Sequence, residues 1–187
     1  MGLQSISVCL FCGSRPGNNP AFSSEARAFG KLLAQRGHRL VYGAGDRGLM
    51  GETARAMQQA GGHITGVIPQ HLVDAEIGKS DVDDYIVTDN MHERKMLMFQ
   101  RSQAVVTLPG GPGSLDELIE VLTWRQLGLH AKPVIVVNSE GYWDALRGLL
   151  DHMITQGFAD GALMEYVTWV PDAAGALQAL EAAAKAS

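Results

Sequence analysis

The chain has 187 residues, a length that predicts one domain spanning residues 1–187. Fifteen Lys and Arg against 20 Asp and Glu give a net charge of −5, which argues against a nucleic-acid-binding surface. Hydrophobic residues make up 46% of the chain, and no apolar run approaches the roughly 20 residues of a membrane span, so we expect a globular protein with no membrane partner. No secretory signal is visible, and the expected compartment is the cytoplasm.

Apolar strands alternate with helical patterns along the whole chain. The predicted strands cover about 6–12, 38–42, 64–68, 85–88, 104–108, 133–137 and 166–170. The predicted helices cover about 20–35, 49–59, 91–101, 115–126, 142–155 and 172–186. Residues 69–83 show no clear period and are predicted to form a long loop. This alternation predicts a single-domain, Rossmann-like α/β fold, a doubly wound parallel sheet with helices on both faces.

A glycine-rich segment, Pro109-Gly110-Gly111-Pro112-Gly113-Ser114, follows one strand and precedes a helix. We call residues 109–114 the second glycine turn. Glycines let a backbone approach a ligand, and the free N–H groups of a first helical turn point at an anion, usually phosphate. Three glycines in four positions exceed what a tight turn needs, which favours phosphate binding. Glu117 lies three residues after Ser114, the spacing of a capping box, so it has a structural explanation beside a functional one.

The helix that begins near Met91 carries two adjacent cations, Arg94 and Lys95, on a face shared with Met91 and Met98. Two cations on such a face are costly to bury without an anionic partner. Their side chains either extend to solvent or pair with a phosphate or carboxylate. For Arg94 we favour the second interpretation.

Residues 43–48, the first glycine turn, match the G-x-G-x-x-G pattern of dinucleotide-binding proteins. A nicotinamide-dependent oxidoreductase is therefore the main rival hypothesis. It requires an acidic residue about 20 positions further on to hold the ribose hydroxyls. Residues 63–69 contain none, so we interpret this turn as a second approach of the backbone to a ligand.

Cys9 and Cys12 have a C-x-x-C spacing that is also found in redox and zinc sites. They fall in a predicted buried strand, where free cysteine acts as a small apolar residue. No second pair of ligands follows, and the six histidines show no metal-ligand spacing. We predict no metal and no cofactor.

Together these segments resemble one family. Residues 109–117 resemble the signature P-G-G-x-G-T-x-x-E, and residues 91–98 resemble M-H-x-R-K-x-x-M. Both belong to the LONELY GUY (LOG) family, the cytokinin riboside 5′-monophosphate phosphoribohydrolases. Further similar segments are residues 11–14, 42–45, 48–51 and 123–133. Members are often labelled lysine decarboxylases, but the sequence has no recognisable pyridoxal-phosphate lysine motif.

The resemblance implies a Rossmann-like homodimer in cytokinin biosynthesis, with active sites at or near the subunit interface. The implied reaction is hydrolysis of the N-glycosidic bond of a nucleoside 5′-monophosphate to a free base and ribose 5-phosphate. The implied catalytic residues are Glu117 and Arg94. The implied substrate contacts are Gly13, Ser14, Gly43, Gly45, Glu76, Lys95, Gly110, Gly111, Gly113, Ser114 and Thr123.

Three positions depart from the family pattern. Ser114 stands for the usual Thr and keeps the hydroxyl. Ala44 interrupts a usual Gly-Gly-Gly and adds a methyl group where we expect the backbone to approach the ligand. The segment after Glu76 lacks a His often found there. We expect these changes to affect the choice of substrate more than the class of reaction.

Cleavage of a glycosidic bond builds positive charge on the sugar, and a carboxylate near the anomeric carbon stabilises it or activates water. We assign this role to Glu117. Arg94 either holds Glu117 ionised and in place or binds the phosphate. The alternative function is a non-catalytic nucleotide or molybdenum-cofactor carrier, which needs the phosphate cradle but not both Glu117 and Arg94.

Overall fold

The computed structural model describes residues 5–75 and 78–186. Seven strands are described, and all of their pairings are parallel. The strands are β1 Ser7–Phe11, β2 Arg39–Tyr42, β3 His63–Pro69, β4 Asp84–Thr88, β5 Ala104–Thr107, β6 Val134–Val137 and β7 Val167–Val170. They form one sheet in the order β4-β3-β2-β1-β5-β6-β7. This order is that of a doubly wound sheet, because the chain reverses its direction of winding between β1 and β5.

Helices cover both faces of the sheet, which confirms the predicted fold class. They are α1 Pro20–Gln35, α2 Gly48–Gln59, α3 Gln70–Asp74, α4 Met91–Gln100, α5 Pro112–Gln126, α6 Asp144–Thr155 and α7 Ala173–Ala186. Buried side chains of α1, α2 and α7 pack in one core, and those of α4, α5 and α6 pack in the core on the opposite face. Short 3-10 turns at Ser139–Gly141 and Gly161–Tyr166 complete the described secondary structure.

The reversal between β1 and β5 brings two loops together at the carboxyl end of the sheet. The N–H of Gly13, after β1, donates to the carbonyl of Pro109, after β5, at 3.0 Å. The N–H of Leu49, at the start of α2, donates to the carbonyl of Gly13 at 2.9 Å. Ligands of open parallel sheets bind at this kind of switch point, so the fold places a crevice next to the second glycine turn.

Two differences from the sequence prediction are larger than two residues. Helix α3 lies inside residues 69–83, which were predicted to be a loop. With five residues it is a little over one turn, too short to show a hydrophobic period. Helix α5 begins at Pro112 instead of Leu115, because a proline at the first helical position loses no hydrogen bond and starts the helix early.

Cys9 and Cys12 are free thiols on opposite sides of the sheet. Burial raises the pKa of each thiol well above its ordinary value, so both stay protonated at neutral pH. The predicted apolar role of these residues fits this placement. Among the described helices, none combines the length and the apolar character needed to cross a membrane.

Candidate active site

A cleft of about 380 Å³ opens at the carboxyl ends of β1, β2 and β5. Its walls come from the segment after β1, the first glycine turn, α4 and the start of α5. The sequence-predicted residues that line it are Ser14, Gly43, Gly45, Arg94, Lys95, Gly111, Gly113, Ser114 and Glu117. Residues from four separate parts of the chain therefore meet in one cleft.

The second glycine turn presents free hydrogen-bond donors to this cleft. Within the described residues, the N–H groups of Gly111, Gly113 and Ser114 have no hydrogen-bond acceptor. A Cβ atom built on Gly111 or Gly113 would meet nothing within 4 Å, so both α-carbons face open space. Unpaired N–H groups at a helix N-terminus attract anions, because they add to the positive end of the helix dipole.

Ser114 does not form the predicted capping box with Glu117. The N-cap residue of α5 is Gly111, which makes Ser114 the third residue of the helix and Glu117 the sixth. A side chain at the third position lies too far into the helix to cap it. The Ser114 side chain is buried against the turn, since a Cβ atom built on Gly110 would come within 2.2 Å of its hydroxyl oxygen. The structural explanation for Glu117 is thereby removed.

The Glu117 carboxyl is half-buried in the cleft, and none of the described residues donates a hydrogen bond to it. Burial raises its pKa to about 7, and the Arg94 charge opposes that rise. Carboxylates with a raised pKa and no partner are typical of catalytic sites, because a purely structural carboxylate is usually paired. At neutral pH this group exchanges a proton readily.

Arg94 is a buried cation, 8% exposed, fixed by backbone carbonyls. Its Nε donates to the carbonyl of Val67 at 3.1 Å, and its Nη2 donates to that of Gly43 at 2.7 Å. Within residues 5–75 and 78–186 no carboxylate oxygen lies within 4.0 Å of the guanidinium. Burial lowers the pKa of Arg94, and the negative charge of Glu117 opposes this effect. The two groups therefore interact across the cleft without forming an ion pair.

Lys95 is also buried, but it points toward α5. Its Nζ lies 3.0 Å from Asp116 Oδ2 and 3.0 Å from Glu120 Oε2. Burial lowers the pKa of Lys95, but the hydrogen bonds to Asp116 and Glu120 outweigh it and leave the pKa above its ordinary value. These carboxylates are the anionic partners that two buried cations require, and only Lys95 of the pair has them.

The first glycine turn is packed by the protein itself. A Cβ atom on Gly43 would lie 1.7 Å from Arg94 Nη2, and one on Gly45 would lie 2.5 Å from Met50 Cε. The methyl group of Ala44 is buried, and it lies close to Gly66 rather than in the cleft. This placement does not support the expectation that the methyl group meets the ligand, which stays a prediction. Ala44 has a φ of 54°, which its side chain tolerates at a cost.

Three predicted contacts lie elsewhere, and a fourth is not described. Gly13 and Gly110 border a neighbouring cleft, and a Cβ atom on Gly13 would come within 2.9 Å of the Arg15 carbonyl. Thr123 is exposed on α5 outside both clefts, and its hydroxyl donates to the carbonyl of Ile119 at 2.8 Å. Glu76 lies outside the described residues.

The neighbouring cleft measures about 510 Å³ and shares a wall with the first, formed by Ser14, Gly111 and Pro112. Phe22 and Tyr142 line it, and neither was predicted as a site residue. The aromatic pair comes from α1 and from the segment after β6, and no local sequence pattern connects those regions. In the described part of the chain, no three His, Cys, Asp or Glu side chains cluster in a way that suits a metal ion.

Solved structures share the fold. The molybdenum cofactor carrier protein of Chlamydomonas reinhardtii superposes with a TM-score of 0.73 and is 21% identical, covering 98% of this chain and 100% of that one. The molybdenum cofactor binding protein of Rippkaea orientalis has a TM-score of 0.72 and is 20% identical, covering 97% and 98%. At this identity the likeness concerns the fold alone.

Sequence comparisons are more specific. A family model described as "Possible lysine decarboxylase" matches residues 50–180. A "Probable cytokinin riboside 5′-monophosphate phosphoribohydrolase" of Oryza sativa subsp. japonica is 43% identical, over 93% of this chain and 77% of the relative. A cytokinin riboside 5′-monophosphate phosphoribohydrolase of Arabidopsis thaliana is 41% identical, over 94% of this chain and 77% of the relative. The chain therefore belongs to the LONELY GUY family, as residues 91–98 and 109–117 indicated.

Proposed function

We propose that this chain is a phosphoribohydrolase. It cleaves the N-glycosidic bond of a cytokinin riboside or adenosine 5′-monophosphate and releases the free base and ribose 5-phosphate. One observation carries the proposal: unpaired N–H groups at the start of α5 share a cleft with the half-buried, unpartnered Glu117 carboxyl. Relatives at 41% and 43% identity that are named for this reaction support the class of chemistry.

In this proposal the 5′-phosphate binds the second glycine turn. The N–H groups of Gly111, Gly113 and Ser114 donate to its oxygens, and the open space at Gly111 and Gly113 lets the phosphate come close. Ser14 lies on the shared wall and adds a hydroxyl to the same region. Binding energy from this remote group orients the sugar for reaction, which is how non-reacting parts of a substrate assist catalysis.

Glu117 lies one helical turn beyond Ser114, on the side of α5 that faces the cleft. A sugar attached to a phosphate at the start of α5 therefore lies within reach of its carboxylate. As the bond between C1′ and the base breaks, the bonding electrons leave with the base and C1′ becomes positive. Water then forms the new bond at C1′, and its proton passes to the base or to solvent. The ionised carboxylate stabilises the positive C1′ and orients the water.

Arg94 acts through its fixed positive charge. Its hydrogen bonds to the carbonyls of Val67 and Gly43 hold the guanidinium in place without using all of its donors. The charge favours the ionised form of Glu117, and a remaining N–H is available to the substrate. For Lys95 the two ion pairs favour an indirect role, in which it neutralises Asp116 and keeps that negative charge from raising the pKa of Glu117 further.

We further propose that residues 1–187 form a single nucleotide-binding domain in a cytoplasmic homodimer with no nucleic-acid or membrane partner. The single sheet and the charge of −5 support this. Exposed apolar side chains, Met96 of α4 together with Leu127 and Leu129 after α5, support a subunit interface there. Thr123 lies on α5, four residues before Leu127, which caps the end of that helix, so an interface at this surface brings Thr123 close to the partner subunit.

The test is incubation of the purified protein with AMP or isopentenyladenosine monophosphate, followed by chromatography for free base. We expect equal amounts of base and ribose 5-phosphate from the wild type, and a loss of at least about 10³-fold in turnover for Glu117→Gln, which keeps the side-chain shape. Glu165→Gln, the same change at an exposed site away from both clefts, should keep full activity. Near-normal release by Glu117→Gln would remove Glu117 from the chemistry, and tight binding without release would favour the carrier.

A further inference from the structure

Tyr142 contacts the second glycine turn from the side opposite the candidate active site. It follows β6 and the 3-10 turn Ser139–Gly141, and its hydroxyl donates to the carbonyl of Gly110 at 2.5 Å. It lines the neighbouring cleft and does not line the cleft that holds Glu117. Tyr142 belongs to none of the sequence motifs that predict the site.

The tyrosine is held firmly enough to position something else. Its ring makes edge-on contacts with Phe22 and Trp143, at centroid distances of 5.4 and 4.8 Å. The segment that carries it is fixed by Asn138, whose Oδ1 accepts from the N–H of Trp143 and whose Nδ2 donates to Asp144, each at 2.7 Å. The hydroxyl is therefore aimed by packing and by the turn beneath it.

The Gly110 carbonyl that accepts this hydrogen bond belongs to a rigid peptide group. The carbonyl of Gly110 and the N–H of Gly111 belong to one planar trans peptide and point in opposite directions. A hydrogen bond that fixes the carbonyl therefore fixes the N–H as well. Between two glycines this peptide otherwise has wide rotational freedom, because no Cβ atom restricts it. The Gly111 N–H has no acceptor among the described residues.

We propose that Tyr142 is a positioning residue that aims the Gly111 N–H at the substrate phosphate. The inference rests on the proposed function for the identity of the anion. Gly111 lines both clefts, and Tyr142 lines only the neighbouring one. The N–H lies opposite the carbonyl that Tyr142 binds, so we infer that it faces the cleft of Glu117. A Cβ atom built on Gly110 would meet the Ser114 side chain and the Gly13 backbone, so the turn is closely packed at the α-carbon of Gly110.

Tyr142→Phe would misalign one of the three N–H donors, and that contact is the same before and during the reaction. The N–H groups of Gly113 and Ser114 still orient the sugar, so we expect weaker binding with little change in the rate of the chemical step. For Tyr142→Phe, which keeps the ring contacts, we expect the affinity for inorganic phosphate and for ribose 5-phosphate to fall about 5- to 20-fold. The KM for AMP should rise by the same factor, with kcat within about twofold of the wild type. Binding of free adenine and the midpoint of thermal unfolding should not change.

Tyr166→Phe is the matched control, since its ring lies against Arg125, away from both clefts. A fall in kcat with unchanged KM, equal losses for phosphate and adenine, or unchanged phosphate affinity would overturn the inference. Calorimetric titration with inorganic phosphate tests the role of Tyr142 separately from the proposed function, because that measurement requires no turnover. Tyr142-dependent phosphate binding in a protein that hydrolyses no nucleotide would support the inference and contradict the hydrolase.

Discussion

The two glycine turns meet at the same edge of the sheet and have glycines for opposite reasons. In the first turn the protein itself occupies the space that a side chain would take, because Arg94 lies against Gly43 and Met50 lies against Gly45. In the second turn no other described residue lies within 4 Å of the position that a Cβ atom would take at Gly111 or Gly113. The space at Gly43 and Gly45 is therefore filled by the protein, and the space at Gly111 and Gly113 is open to a ligand.

This difference shows how to distinguish a structural glycine from one that serves a ligand. The first turn matches G-x-G-x-x-G, the better-known nucleotide pattern, yet two of its carbonyls accept hydrogen bonds from the protein, that of Gly43 from Arg94 and that of Ala44 from the N–H of Lys79. The second turn leaves three N–H groups unpaired, next to a carboxyl without a partner. A site for an anion is indicated by what the protein leaves unsatisfied, more than by the number of glycines.

The largest effect is expected for Gly43→Ala. The new methyl group would lie 1.7 Å from Arg94 Nη2, so the guanidinium must leave its buried carbonyl partners. We expect the free energy of unfolding to fall by about 3 kcal/mol or more, together with loss of turnover. Urea denaturation monitored by circular dichroism measures this change, and an unchanged midpoint would show that Arg94 does not need this position.

Gly113→Ala should have the opposite effects, weaker binding of AMP with little change in stability. Its methyl group enters the empty space where the phosphate is expected, so the affinity for AMP should fall at least about tenfold. The free energy of unfolding should stay within about 1 kcal/mol of the wild type, because alanine favours a helix. Gly148→Ala, also in a helix with nothing within 4 Å, is the control and should leave AMP binding unchanged. Normal AMP affinity in Gly113→Ala would place the phosphate elsewhere.

The unpartnered carboxyl near the second turn predicts a pH dependence of stability. Burial raises the pKa of Glu117 from 4.5 to about 7, so the folded state holds a proton that the unfolded state has lost over this range. Its stabilising contribution is complete below pH 4.5 and is lost as the pH rises through about 7. The free energy of unfolding of Glu117→Gln, measured relative to the wild type, should increase by up to about 3 kcal/mol as the pH rises through this window. Above the window this difference should stay constant.

Urea denaturation of both proteins from pH 4 to pH 9 measures this difference. The same group predicts that kcat/KM rises with pH through an apparent pKa of about 7, since the carboxylate must be ionised to stabilise C1′. A rate that falls as the pH rises through 7 would instead assign Glu117 the role of a general acid.

The smallest effect is expected for Ala44→Gly. Relief of the positive φ at Ala44 is offset by the loss of a buried methyl group and by the greater freedom of glycine in the unfolded chain. The free energy of unfolding should change by no more than about 1 kcal/mol, and the preference between AMP and isopentenyladenosine monophosphate should not change. A switch in substrate preference would return Ala44 to the site.

Much of this architecture could be predicted from the sequence. All seven strands were, because buried parallel strands are continuous apolar runs bounded by turns. The predicted start of α5 is three residues late, because the prediction gave too much weight to the capping-box spacing of Ser114 and Glu117 and too little to Pro112. Helix α3 could not be found, since a single turn has no period.

Within the site, the sequence indicated most of the residues that line the cleft but not how they pair. Arg94 and Lys95 are neighbours in the chain, yet one binds backbone carbonyls and the other binds two carboxylates of α5. These partners depend on how α4 packs against other elements, and no local sequence pattern predicts that packing. The raised pKa of Glu117 and the contact of Tyr142 with Gly110 also depend on tertiary packing.

The central claim is that a nucleotide phosphate binds the second glycine turn with its sugar toward Glu117. A crystal structure of the Glu117→Gln variant soaked with AMP tests it most directly, because the substrate should persist there. We predict phosphate oxygens within hydrogen-bond distance of the N–H groups of Gly111, Gly113 and Ser114, with C1′ facing residue 117. AMP bound on the Phe22 and Tyr142 side, or with its phosphate at the first glycine turn, would contradict this account.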